Sequence, residues 1–202
     1  MRSLILAGCL ILAAPSALAQ STSEETDGAV VISQKGLDAW DAIYNVFSHP
    51  RCANCHTDDE HPRWSGPSYE GLPQSANNFH RMNVKRGADG FGADGLKCQT
   101  CHQESNSATP HGPPGAPHWH LAPTDMAWWQ KSSAHVCAQI KDPTRNGGRS
   151  LQDVARHIQT DPLVAWGWAP GPGREKAPGS AQETFDLLQT WIAEQAPCPA
   201  GQ

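Results

Sequence analysis

No stretch of this chain is apolar for long enough to cross a bilayer. The segment Leu4 to Ala14 is well short of the roughly 20 residues a spanning helix needs, and nothing later comes closer. There is no block of lysine and arginine, and the formal net charge is −5, which argues against nucleic acid as a partner. Alternating strand patterns are also missing, which leaves an all-α class with extensive irregular loops. Of the seven cysteines, four are taken up in two identical motifs, so too few remain to hold an iron–sulfur cluster.

The first residues have the anatomy of a secretory signal: Arg2, the apolar run, then Ala17-Leu18-Ala19 as a small-x-small cleavage site. Residues 1–19 are therefore expected to be a signal peptide cleaved near Ala19, residues 20–29 a disordered linker, and residues 30–202 the domain itself, exported to the periplasm. Cleavage before Cys9 as a lipoprotein would leave almost no apolar segment in front of it, so the Ala19 site is preferred. The mature chain carries 14 basic and 20 acidic side chains, a net of −6, and six cysteines. Cys137 and Cys198 stand outside the motifs. In an oxidising compartment they read first as a disulfide, and otherwise as a free thiol able to ligate a metal.

Helical spacing of Leu37, Trp40, Ile43, Tyr44 and Phe47 predicts a helix over 34–48, capped by Ser33 and ended at His49-Pro50. Residues 57–125 are rich in Gly, Pro, Asn and Ser and show no sustained period. Only short helical turns are expected there, around 77–84 and at each motif. So long a loop fits a compact domain only if a large apolar cofactor replaces the missing core. Further helices are predicted at 133–141, at 150–160 with Ser150 and Asp153 as its cap, and after the capping box Ser180/Glu183, where Phe185, Leu188, Trp191 and Ile192 form a stripe. Residues 166–173 read as a rigid, turn-rich segment. The two motif regions make a weak internal repeat without a fixed short period, which excludes a solenoid.

The motifs are Cys52-Ala53-Asn54-Cys55-His56 and Cys98-Gln99-Thr100-Cys101-His102. C-x-x-C-H is the attachment signal of c-type haem. Cysteines three apart on a helical turn face the same way and can join the two vinyl groups on one porphyrin edge. The following histidine then lies under the iron. A thioredoxin-like site would need a βαβ context, a zinc ribbon would pair its C-x-x-C units at about 15–20 residues, and two disulfides would leave the histidines unexplained. The expectation is two covalently attached haem c groups, held by Cys52, Cys55, His56 and by Cys98, Cys101, His102.

The sixth iron ligands are less constrained. For the first haem the nearby donors are His80 and Met82, which in extended chain face one side. For the second they are His111, His118, His120 and Met126, on a segment stiffened by Pro113, Pro114 and Pro117. His80 and His120 are favoured. His49 and His61 read as hydrogen-bonding groups, and His157 as a surface or supporting residue. Arg51, Arg81, Lys85 and Arg86 are candidates to pair with propionates. The tryptophans are expected to wall the haems and fill the core.

The segments His49 to His56, Met82 to Gly87, His111 to Pro123, Asn146 to Arg149 and Asp161 to Trp168 resemble a family of small bacterial di-haem cytochromes. Its members are often named as the cytochrome subunit of isoquinoline 1-oxidoreductase-like molybdenum hydroxylases. The resemblance covers most of residues 45–199. It implies electron transfer from a molybdenum and iron–sulfur dehydrogenase toward the respiratory chain, with redox proteins as partners. Two six-coordinate haems would do no bond chemistry, so no enzymatic activity is expected of this chain alone. The rival readings are a di-haem enzyme of the peroxidase or thiosulfate-oxidising type, with Cys137 as a possible iron ligand, and a haem sensor. Both need an open or labile iron site.

Overall fold

Ser33 accepts a hydrogen bond from the Gly36 N–H at 3.2 Å and starts α1, Gln34–Phe47, as its spacing predicts. The computed structural model describes residues 32–65 and 78–201. The signal peptide 1–19, the linker 20–29 and Asn77 lie outside the described residues. Five more helices follow: α2 Pro50–Ala53, α3 Ser133–Lys141, α4 Leu151–Thr160, α5 Pro162–Ala165 and α6 Ala181–Ala193. Short 3-10 turns occur at Arg81–Asn83, Cys98–Thr100, Thr124–Met126 and Trp166–Trp168. The described residues contain no strand, only an isolated antiparallel bridge between Arg63 and Phe79, so the class is all-α. No described helix is long and apolar enough to cross a membrane.

α1 and α4 pack on α6, and α3 closes the group against α1. Trp40, Ile43, Ile140, Leu188 and Trp191 are fully buried at their centre. The two indoles lie 5.0 Å apart, and each N–H finds an acceptor: Trp40 donates to Ser133 Oγ and Trp191 to the Pro197 carbonyl, both at 2.8 Å. Large aromatics can be buried this deeply because their polar ends are satisfied. The buried face of α1 is turned from the expected stripe: Gly36, Ala39 and Val46 are buried, while Leu37 and Tyr44 are only half-buried. The cause is the C-terminal tail, which crosses Gly36 so closely that a Cβ there would meet Pro197 Cγ at 2.6 Å.

Ser150 and Ser180 cap α4 and α6 as expected, accepting from the Asp153 and Glu183 N–H groups at 3.2 and 3.1 Å. The sequence reading gives no helix at 162–165 and a turn-rich segment after it. The structure has α5 there, running into the 3-10 turn. Asp161 accepts from the N–H groups of Leu163 and Val164, and Pro162 occupies the first helical position, where its missing N–H costs nothing.

Cys137 and Cys198 form a disulfide, with Cα atoms 5.7 Å apart and a sequence separation of 61. This bears out the first of the two readings. The bond ties α3 to the tail that the Trp191 and Lys141 side chains also hold, Lys141 Nζ donating to the Ala196 carbonyl at 2.7 Å. Replacing both cysteines with serine is expected to lower the unfolding free energy by about 4 kcal/mol, the chain-entropy value for a loop of this length. Urea titration of the variant and the parent checks this, and superimposable curves would contradict it.

Candidate functional site

The first motif begins where α1 stops. His49 caps α2, its Nδ1 accepting from the Arg51 N–H at 3.2 Å, and Pro50 takes the first helical position. Cys52 and Cys55 follow at i and i+3, which sets them on one side of the turn. The His56 ring is then fixed on two sides. Its Nδ1–H donates to the Met126 carbonyl at 2.8 Å, and its face lies 3.5 Å from Trp128 at an interplanar angle of 4°. The His56 carbonyl accepts from the N–H groups of Trp128 and Trp129. Phe47 stacks on the same indole at 4.6 Å, so the helical core runs directly into the motif.

The second motif repeats this arrangement on different chain. The 3-10 turn Cys98–Thr100 is closed by the N–H groups of Cys101 and His102 donating to the Cys98 carbonyl. His102 Nδ1–H donates to the Pro114 carbonyl at 2.8 Å, and its ring lies 4.5 Å from Trp119 at 5°. The next residue has to be glycine. A Cβ on Gly115 would lie 2.1 Å from the Ser105 carbonyl oxygen and 2.4 Å from that of Gln103.

These bonds settle the chemistry of the rings. A backbone carbonyl only accepts, so Nδ1 carries the proton in each ring and Nε2 keeps the lone pair. Burial pushes the His56 imidazole down to about 3 and that of His102 to about 4, so both are neutral at ordinary pH. Burial also pushes the Cys52 thiol up to about 12 and Cys55 to about 11, and raises Cys98. Redox-active C-x-x-C pairs need a lowered thiol pKa, so these do not resemble a thiol–disulfide centre. No disulfide joins any of the four motif cysteines.

Two clefts open at the motifs. One, of about 920 Å³ counting its mouth, is bordered by Cys98, Cys101, His102 and His80. The other, of about 1200 Å³, is bordered by Cys52, Cys55, His56 and His157. Arg51, Cys55, Trp119, His120 and Trp166 border both, so the wall between them is one side chain thick. Trp119 and Trp166 cross edge to face within it at 4.9 Å. Among the described residues no three His, Cys, Asp or Glu side chains converge as a bare metal ion would require. The donor set instead fits haem c: in each cleft two thiols and one Nε2 lone pair, beside an aromatic wall.

Four of the ten histidines have Nδ1 bonded to a backbone carbonyl: His56, His102, His80 to Arg81 at 2.8 Å and His120 to His118 at 2.5 Å. They are the four expected iron ligands. Their expected pairing changes, however. His80 does not face His56: its ring centre lies 5.9 Å from that of His102. Met82 borders the same cleft as His80, but at its mouth: it adopts a left-handed backbone with φ 64°, which breaks the alternation with His80, and it is 73% exposed. His111 and His118 are exposed and border neither cleft. Met126 is buried at the His56 cleft, and its carbonyl holds the ring from behind.

His157, expected as a surface or supporting residue, borders the His56 cleft, in keeping with the second of these readings, and its Nδ1 lies 3.3 Å from Asp161 Oδ2. The i,i+4 spacing of the pair was its only mark in the sequence. Among the expected propionate partners, Arg51 and Lys85 border the clefts. Arg86 does not. It is buried, bonded to Asp59, Thr57 and Ala122, and braces the loop after the first motif. Arg81 lies over Trp64 at 4.4 Å.

No protein family model, curated protein or solved structure matches the chain. Gly115→Ala is expected to cost about 1–3 kcal/mol, the usual range for overpacking, because carbonyl oxygens cannot retreat as flexible side chains do. Denaturant titration checks it, and unchanged stability would contradict the close approach at His102.

Proposed function

We propose that the chain is a di-haem c-type cytochrome that carries electrons one at a time between redox proteins. The observation that carries this reading is the duplication: two C-x-x-C-H units, each with its histidine held by a carbonyl and an indole, each opening into its own cleft. Haem c supplies an iron that exchanges one electron between the ferric and ferrous states. The chain's own residues do the rest. Cys52, Cys55, Cys98 and Cys101 provide the thioether sulfurs, and Nε2 of His56 and of His102 the proximal ligands. The carbonyl bonds fix the tautomer and make each ring a better donor. His80 and His120 would supply further nitrogen donors to the irons, with His157 another at the His56 cleft. Two histidines per iron give a lower potential than His/Met ligation.

The thin wall between the clefts supports electron exchange within the molecule. The rival enzyme reading loses its sulfur ligand, because Cys137 is committed to the disulfide. A histidine besides the proximal one borders each cleft, which favours a carrier over an open-iron enzyme or sensor. The signal-peptide anatomy and the disulfide support a periplasmic location. The motif resemblance supports a molybdenum hydroxylase as electron donor, with the respiratory chain as acceptor.

Carbon monoxide separates these readings. The ferrous protein, matured in a host that attaches haem c, is expected to keep its absorption spectrum when the gas is added. A stoichiometric carbon monoxide complex would contradict the carrier and favour the enzyme or the sensor.

A further inference from the structure

We infer that His80, which follows the first motif in sequence, is the sixth ligand of the iron held by the second motif, opposite His102. This rests on the di-haem reading above. A first-row metal holds an imidazole nitrogen at about 2.0–2.1 Å, so two imidazoles on opposite sides of one metal have centres roughly 6–6.5 Å apart once the half-width of each ring is added. The His80 and His102 centres are 5.9 Å apart, close to that spacing. Both rings spend Nδ1–H on a backbone carbonyl, Arg81 for one and Pro114 for the other, so Nε2 is the donor left on each.

The backbone explains how His80 reaches this position. Residues 78–80 run antiparallel to 62–64: Trp64 N–H donates to the Asn78 carbonyl at 3.0 Å, and His80 N–H to the Pro62 carbonyl at 2.9 Å. Neighbouring side chains on such a segment point to opposite faces. Phe79 turns outward, 44% exposed, against Arg63 at 4.4 Å and His61 at 4.9 Å. His80 therefore turns inward to the cleft of Cys98 and Cys101. Met82 and Asn83, both left-handed, reverse the chain directly afterwards. His120 borders the same cleft, but its ring lies against Phe91 at 4.7 Å and 22°.

The haem ligands are then crossed with respect to the sequence. The segment after the first motif completes the second haem, and the histidine and methionine donors bordering the first motif's cleft besides His56, namely His120, Met126 and His157, all lie beyond the second motif. Neither haem site is complete within its own half of the chain.

The test is His80→Ala in the full-length two-haem protein. Ferric electron paramagnetic resonance should show one haem turning from low-spin to high-spin, and the ferrous form should bind one carbon monoxide per chain. Added imidazole should restore the low-spin signal. Proton NMR, with hyperfine-shifted thioether signals assigned to Cys98 and Cys101 or to Cys52 and Cys55, identifies which haem has changed. Changes confined to the Cys98/Cys101 haem are the expected result. Changes at the Cys52/Cys55 haem, or none, would overturn the assignment. If the alanine variant does not accumulate, His80→Met serves instead: the near-infrared band of Met-ligated haem should appear, with shifts again at the second haem. Loss of the underlying di-haem reading would show separately, as a parent protein without two covalent haems.

Discussion

Each motif histidine has one nitrogen bound to a carbonyl and one face against an indole, and the other parts of the molecule are arranged to keep it so. A cysteine pair fixes a cofactor's edge, but it does not fix the direction of the histidine's lone pair. The Met126 and Pro114 carbonyls do, since they oblige Nδ1 to carry the proton. Trp128 and Trp119 then stop the rings rotating about that bond. The glycine after Pro114 and the backbone bonds from residues 128 and 129 to His56 hold those partners in position.

The helices support one motif and the loops the other. A chain of aromatic contacts runs from Trp191 through Trp40 and Phe47 to Trp128 and His56, so the first motif is an extension of the helical core. Among the described residues, the second motif has no helix of comparable length beside it. It depends on the close approach of residues 103–105 and 114–115, and on Trp119 set across Trp166. The one-residue wall of Cys55, Trp119 and Trp166 is where the two supports meet, and electron exchange between the sites would cross it.

Much of this was legible in the sequence, and what was not has identifiable causes. The helices at 34–47, 133–141, 151–160 and 181–193 declared themselves through apolar spacing and serine caps, which are local signals. The motifs are legible because the identity of three residues, two cysteines and a histidine, carries their chemistry. The partners of Nδ1 were not, since any residue has a carbonyl and nothing in Met126 or Pro114 marks it. The side to which His80 turns depends on pairing with residues 62–64, a non-local contact without periodicity. The position of His157 on the polar edge of α4 leaves a surface and a supporting role equally open, and only the packing of α4 beside the first motif decides between them by bringing that edge to the cleft. Arg86 has the same charge as a propionate partner, and only its four bonds to chain oxygens reveal it as a brace.

The central claim is that both C-x-x-C-H units carry covalent haem. Intact mass measured under denaturing conditions, on protein exported from a host that matures cytochromes c, tests it most directly. The account predicts a single species: the chain from Gln20 onward, with one disulfide and two haem groups that stay attached after unfolding. A mass equal to the polypeptide alone, with four motif thiols open to alkylation or joined as disulfides, would contradict it.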